Sequence, residues 1–308
     1  MVAIEVPEVD YTEYSNRQLV AVPLAILAIA LLILGGWYLA TGAPADLGVE
    51  FTGGAELRLS VNESADFEPG TPAARGTLED PETFSVEPSS IQYVPGDETY
   101  VVTFRPDAPP DGSGESGDFG SVAGEARDVG FTVDAQDRVS ASFGSGVQTQ
   151  ALGGLLVAFL GMSVLVFAMF RTFVPSIAVV LSAFSDLVIP VAVMNLLGID
   201  MTLGTVAALL MIIGYSVDSD ILLNNSVLRR TGGFYESVSR AMRTGVTMTI
   251  TSIAAMAVMA VVATVFGVDL LRDIGIILAV GLCADLMNTY LLNVSLLRWY
   301  KFEGVSDR

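Results

Sequence analysis

Four aspartates fall inside runs that are otherwise apolar enough to cross a lipid bilayer: Asp186, Asp218, Asp220 and Asp285. A carboxylate at bilayer depth is costly, so it marks an ion or proton path, a ligand site or a paired charge. The stretch Ile213-Gly-Tyr-Ser-Val-Asp-Ser-Asp220 carries two of them. Residues two apart on a helix are rotated by about 200°, so Asp218 and Asp220 cannot share a face. Asp218 groups with Gly214 and Asn225, and Asp220 with Ser216 and Asn224. At most one of the two points into the centre of a bundle. The plainer alternative ends the helix near Val217 and leaves both aspartates in water.

Asp285 stands close to mid-depth of its run, with Gly281 and Asn288 on the same helical face. Asp186 follows Ser185; a single buried carboxyl bonded to Ser or Thr is the alternative to a functional role. Arg240 and Arg243 lie at the depth of Asp218 and Asp220, where an Arg–Asp pair would lower the cost of both charges. The same arginines serve equally well as topology anchors. Of the four, Asp285 and Asp218 are the expected members of a charge-switching relay, with Asp220 and Arg240 as partners. The polar stripe Thr244, Thr247, Thr251 and Ser252 reads as helix-packing glue.

Composition fixes the setting of these residues. Of 308 residues 52% are hydrophobic, and the mean hydropathy of +0.59 indicates several membrane spans. Acidic residues number 34 against 15 basic, for a formal net charge of −19. Lys301 is the only lysine, and His is absent. Such acidity is favoured where salt screens repulsion, which predicts a halophilic source and argues against a nucleic-acid partner. With one cysteine, Cys283, and no histidine, neither a disulfide framework nor a metal site is expected. No Gly-x-x-x-x-Gly-Lys-Ser/Thr loop occurs, so no nucleotide or other cofactor is expected.

Apolar runs fall at residues 19–41, 151–170, 174–197, 201–223, 245–266 and 274–297, which predicts six spans. The first reads as an uncleaved signal anchor after a cytoplasmic segment, residues 1–18. Residues 42–149 form a polar, acidic α+β domain, and residues 299–308 a second cytoplasmic tail. Strands are expected at 49–61, 99–104 and 139–143, and short helices at 79–84 and 120–129. The Pro/Gly/Ser stretches 69–76 and 106–120 read as loops. Arg17, Arg171, Arg229, Arg230, Arg240, Arg243, Arg298 and Lys301 all fall on one side of the spans. Positive-inside counting therefore places both termini in the cytoplasm and the acidic domain outside the plasma membrane.

Two motifs point further. Gly48-Val-Glu-Phe-Thr-Gly-Gly54 follows the first span, and Thr205-Val-Ala-Ala-Leu-Leu-Met-Ile-Ile-Gly-Tyr-Ser216 opens the fourth. With Ser145–Gln150 entering span two and Arg240–Thr244 entering span five, they resemble the SecF subunit of the SecD–SecF protein-export machinery over essentially the whole chain. That resemblance implies six helices of the resistance-nodulation-division type with one external ferredoxin-like domain. It implies a SecD-like partner, the Sec protein-conducting channel, exported polypeptides as clients and ion-gradient-linked help in late translocation. It marks Phe51, Thr52, Gly53, Gly54, Gly214, Tyr215 and Ser216 as family residues. In bacterial members Gly-Tyr-Ser is followed by Ile-Asn-Asp-Thr, so the family aspartate falls on Ser219 here, with Asp218 and Asp220 on either side. The family arginine matches Arg240, whereas the family has small polar residues where Asp285 stands.

Two rival classes compete. Half of a small-molecule or lipid exporter of the same superfamily would also need a six-span partner. An intramembrane aspartyl protease would use paired carboxylates, but the spacing from Gly281 to Asp285 is one residue too long and Ala284 replaces the second glycine. No enzymatic activity is expected.

Overall fold

A computed structural model describes residues 14–105, 121–229 and 233–302. The loop expected at 106–120, most of the N-terminal segment expected in the cytoplasm, Arg230 and residues 303–308 lie outside the described residues.

Helix α1 (Asn16–Thr41) starts at Ser15, whose hydroxyl accepts from Gln18 N, while the Gln18 side chain reaches back to Ser15 N at 2.9 Å. This capping box satisfies two amides that the helix itself cannot. Gly42, at φ 80°, ends the helix.

The α/β domain follows. A single turn, α2 (Val49–Thr52), leads into β1 (Gly54–Val61); then come α3 (Pro72–Glu79), β2 (Ser90–Val94), β3 (Thr99–Phe104), α4 (Val122–Asp128) and β4 (Phe131–Val139). The sheet is antiparallel throughout, in the order β2-β3-β1-β4. Helices α3 and α4 thus each link two strands that a third strand separates. Alternation along β1 buries Ala55, Leu57 and Leu59 with Tyr100, Val102 and Phe104 of β3, beside Leu78 of α3 and Ala126 of α4.

Several local expectations change. Residues 49–52 are helical, not strand, because Gly48 and Gly53 frame a closed turn in which Gly53 N bonds Val49 O at 2.9 Å. The loop expected at 69–76 holds the start of α3, with Thr71 as its cap and Pro72 at the first helical position. The helix expected at 79–84 stops at Glu79. Of the strand expected at 139–143 only Val139 lies in a strand, because Ser140 accepts from Phe143 N and starts a helix; β4 occupies 131–139 instead, where no strand was expected. Edge strand β2 has no counterpart in the sequence reading.

The remaining helices are α5 (Ala141–Phe170), α6 (Phe173–Leu197), α7 (Leu203–Arg229), α8 (Phe234–Val265) and α9 (Asp269–Met287). A π-helical turn, Asn288–Asn293, then leads into α10 (Val294–Phe302). Among the described residues, five helices are long and apolar enough to cross a membrane: α1, α5, α6, α7 and α8. The run expected at 274–297 lies within the segment Asp269–Phe302, which the π turn divides. Helices α5 and α8 begin about ten residues before their apolar runs, since capping and packing set a helix start where hydropathy sees only hydrocarbon.

The domain is fastened to the bundle by polar and apolar contacts. Residues 46–48 pair with Met201, through Met201 N to Asp46 O at 2.7 Å and Gly48 N to Met201 O at 2.9 Å. Arg105 meets Asp200 at 2.6 Å, and Arg58 donates to Gly267 O at 2.8 Å. Phe51 is buried in the cluster formed by Met194, Val206, Leu209 and Ile277. Helix α5 lies so close to α2 that a Cβ at Gly144 would stand 2.8 Å from Phe51 O and from Gly53 N.

Two predictions concern this joint. Gly144→Val should lower thermal stability by about 1–3 kcal/mol, the usual cost of overpacking. Gly146→Val, in open space on the same helix, should leave it unchanged; equal effects on the melting temperature would refute the packing argument. Glu56 is a pH-sensitive contact of the same region. Burial first, then Asp137 and Asp269, push its carboxyl above the usual range, with Arg58 opposing. The folded state therefore prefers the neutral form. No penalty applies below the unfolded value of about 4.3, and the full penalty enters as pH rises through the raised folded value. Glu56→Gln should raise the melting temperature by about 2 °C at neutral pH. The gain should vanish in acid and shrink in molar salt, as a melting series over pH and salt would record.

Candidate functional site

Three of the four aspartates meet where α6, α7, α9 and the π turn pack together. Asp186 on α6 is fully buried and accepts from Ser216 Oγ at 2.6 Å and Asn288 Nδ2 at 2.6 Å. Asp220 on α7, also fully buried, accepts on Oδ1 from Thr289 Oγ1 at 2.9 Å and Asn293 Nδ2 at 2.8 Å. Asp285 on α9 accepts on Oδ1 from Ser219 Oγ at 2.7 Å and Thr289 Oγ1 at 3.3 Å. The Ser219 and Thr289 hydroxyls stand 3.3 Å apart.

The π turn makes this convergence possible. Its i→i+5 bonding, seen from Val294 N to Thr289 O, brings residues five apart toward one face. Asn288 and Asn293 therefore both turn inward, one to Asp186 and the other to Asp220. In a regular α-helix they would diverge.

The chemistry of the hydroxyls is restrictive. Each carries one proton to donate. Thr289 can serve Asp220 or Asp285, but not both. Ser219 has three acceptors within reach: Asp285 Oδ1, Thr289 Oγ1 and Ser216 O at 2.9 Å. The network thus has alternative settings, and moving a proton or a charge at one carboxylate changes which setting suits the others.

Helical phase separates the two aspartates of the Gly214–Asp220 stretch. Ser216 and Asp220 are buried, whereas Gly214, Asp218 and Asn225 are exposed. Asp218 stands outside the network, on the wall of a cavity of about 490 Å³ between α7, α8 and α9. Ser219 and Asp285 line the same cavity, so it connects the outward carboxylate with the inward one. The expected Asp–Arg240 pair is not formed. Arg240 pairs with Glu236 one helical turn away, at 2.8 Å, and Asp220 is held by Thr289 and Asn293 instead. Among the described residues no cluster of three or more Asp, Glu or Cys is placed to hold a metal ion.

The family residues fall into two groups. Phe51, Thr52, Gly53 and Gly54 build the joint: a Cβ at Gly54 would collide with the Phe104 carbonyl oxygen. Gly214 and Tyr215 lie on the outward face of α7, while Ser216 holds Asp186. Thr289 and Asn293 were missed in the sequence, and Ser219 was marked there only as the position of the family aspartate, not as a donor. Asp285, Thr289 and Asn293 recur every four residues, a spacing that could have exposed two of them.

Comparison with known proteins bears on this geometry. Residues 122–303 match the family described as protein export membrane protein SecD/SecF, C-terminal. The protein-export membrane protein SecF of Haloferax volcanii is 63% identical over 306 residues, covering 99% of this chain and all of that one. Its counterpart in Haloquadratum walsbyi is 60% identical over 307 residues, with the same coverage. That of Methanocaldococcus jannaschii is 34% identical over 92% of this chain and 95% of its own. The expected halophilic source agrees with the first two. The crystal structure of SecDF, a translocon-associated membrane protein from Thermus thermophilus, superposes with a TM-score of 0.70 at 19% identity. It covers 98% of this chain, which spans 39% of the solved one. A multi-pass helical bundle, the Phe-Thr-Gly-Gly joint and near-complete alignment with named relatives place this chain in the SecF family of protein-export membrane proteins.

Proposed function

We propose that this chain is an auxiliary subunit of the Sec protein-export machinery, acting with a SecD-like partner. In this reading the buried Asp186–Asp220–Asp285 network is where an ion gradient acts on the helices. The observation that carries it is the pair of shared hydroxyls, Ser219 and Thr289, between carboxylates on α7 and α9. A change of charge at either aspartate alters which donors hold the helices together. One elementary charge crossing 100 mV is worth about 2.3 kcal/mol, comparable to one buried hydrogen bond to a charged group. Asp218, on the wall of the shared cavity, is the outer member of the relay. Arg240 is a topology anchor rather than an ionic partner.

The architecture fits this role. We read α9, the π turn and α10 as a sixth, interrupted span, which restores an even number of crossings and puts both termini in the cytoplasm. Discontinuous helices are tolerated at membrane depth where protein covers the backbone. The α/β domain then lies outside the plasma membrane. Its β-α-β-β-α-β order is that of a ferredoxin-like fold. The Sec channel and exported chains are its proposed neighbours in the assembly.

A non-catalytic role follows from how the carboxylates are held. Asp220 and Asp285 are engaged by hydroxyl and amide donors, whereas a protease dyad needs two carboxyls sharing one proton. A half-exporter reading has no comparable support in the relatives' names.

Substituting Asp220→Asn or Asp285→Asn should slow export of a secreted reporter about tenfold, the scale of one buried bond to a charged group. Thr289→Val, which keeps shape and removes the shared donor, should act similarly. Export at the unaltered rate in all three would rule out the network as the coupling element. Affinity purification of the full chain from its own membranes should bring down a second polytopic membrane protein of the SecD type; its consistent absence would count against the paired reading.

A further inference from the structure

Helix α7 carries Ser216, Ser219 and Asp220, and its first residue is held by a distant part of the chain. The Thr202 carbonyl accepts from Val206 N at 3.0 Å, which makes Thr202 the cap. Thr202 and Thr205 then serve each other. Thr205 N donates to Thr202 Oγ1 at 3.2 Å, and Thr202 N to Thr205 Oγ1 at 2.7 Å. This is a capping box with a threonine where Glu or Gln is usual. It leaves the Leu203 amide, the first of the helix, to be met from elsewhere. Glu50 meets it: Leu203 N donates to Glu50 Oε2 at 2.6 Å.

The backbone that carries Glu50 is itself fixed to the bundle. Glu50 sits on α2, between Gly48, whose N–H bonds Met201 O, and Phe51, which is buried in the bundle cluster. One short segment thus holds Met201, through Asp46 O, and Leu203, through Glu50. The Glu50 carboxylate also lies at the amino-terminal end of a 27-residue helix, where aligned peptide dipoles favour negative charge. Leu203 is 47% exposed, so water competes for the bond and its value lies in position more than in stability.

We propose that Glu50 is a positioning residue: it fixes where α7 begins, and so where Ser216, Ser219 and Asp220 meet α6, α9 and the π turn. Ser216 follows Leu203 by 13 positions, about 20 Å of helix at about 1.5 Å per residue. The hydroxyl bonds of Ser216 and Ser219 to Asp186 and Asp285 are 2.6 and 2.7 Å long. Bonds that short are lost when a helix slides or turns by a fraction of one residue. This role rests on the carboxylate network being the coupling element.

Export of a secreted reporter by cells carrying full-length variants tests it. Glu50→Ala should slow export about threefold. Glu50→Gln, which keeps the reach and an acceptor oxygen, should recover part of that loss. Glu63→Ala removes an exposed acid of the same domain and should leave the rate unchanged. The decisive variant combines Glu50→Ala with Thr289→Val. Acting through the network, the pair should be about tenfold slow, like Thr289→Val alone, whereas independent effects would multiply to about thirtyfold. Hydrogen exchange of the full chain in lipid nanodiscs should show the first turn of α7 losing protection in the Ala variant and keeping it in the Gln variant.

The full multiplied loss in the double variant would overturn the role, leaving Glu50 as a plain fastening of the domain. Unchanged export in Glu50→Ala, with Thr289→Val slow, would overturn it while sparing the network. An equal loss in Glu63→Ala would overturn it too, by showing that only the charge of the domain matters. If Thr289→Val exports at the unaltered rate and Glu50→Ala is slow, the network reading itself fails and the positioning role falls with it.

Discussion

A carboxylate inside a bilayer must be answered by protein donors, because neither water nor salt is at hand to solvate it. That requirement shapes the second half of this chain. Asp186 and Asp220 are fully buried, and each is met by two short bonds from side chains. Three of those four donors come from one segment, Asn288–Asn293. A regular helix could not aim Asn288 and Asn293 at two targets on α6 and α7, and the π turn can. The helix interruption and the buried charge are thus one feature. The turn gives up regular hydrogen bonding in order to deliver amides where carboxylates need them.

The same logic governs how the α/β domain is held. It touches the bundle through backbone pairing at residues 46–48 and Met201, through Arg105 on Asp200 and through Arg58 on Gly267. Two of these contacts fall on the α6–α7 connection and one on the α8–α9 connection. Helices α7 and α9 are the ones that carry Asp220 and Asp285. The connections leading into them are thus tied by short, directional bonds to neighbouring strands of the domain, through Arg58 on β1 and Arg105 just after β3. Phe51 adds an apolar plug from the domain side into the cluster around Leu209 and Ile277, which explains why a signature otherwise made of small residues carries one large aromatic.

Much of this was legible in the sequence. Five of the six apolar runs fall on the five described helices long and apolar enough to cross a membrane, because hydropathy reports the hydrocarbon directly. Helical phase separated Asp218 from Asp220, and the structure shows one outward and the other inward. Which of the two faces is inside could not be read. Gly214 and Asn225 on one side and Ser216 and Asn224 on the other are nearly equivalent in polarity, and only the neighbouring helices break the tie. Arg240 was matched with an aspartate by depth alone, while Glu236, one turn back on its own helix, was the nearer acid. The π turn leaves no mark in composition. Thr71 and Ser140, which start α3 and α5, were passed over because strand and loop patterns dominated their surroundings.

The displaced aspartates of α7 become intelligible in these terms. At the position that the family resemblance assigns to a carboxylate, this chain has Ser219, and its hydroxyl reaches Asp285 on α9. A carboxylate at 219 as well would stand against Asp285 with no cation between them. Moving the acid across to α9, and leaving a hydroxyl on α7, keeps one charge at that point and supplies it with a donor. Asp220, one position on, faces a different side of the helix and finds its own donors in Thr289 and Asn293. Thr289, reaching both acids with a single proton, makes the two sites interdependent. A set of carboxylates that looks scattered along the chain is therefore one electrostatic unit, and its membership follows from which helix can offer a hydroxyl to which acid.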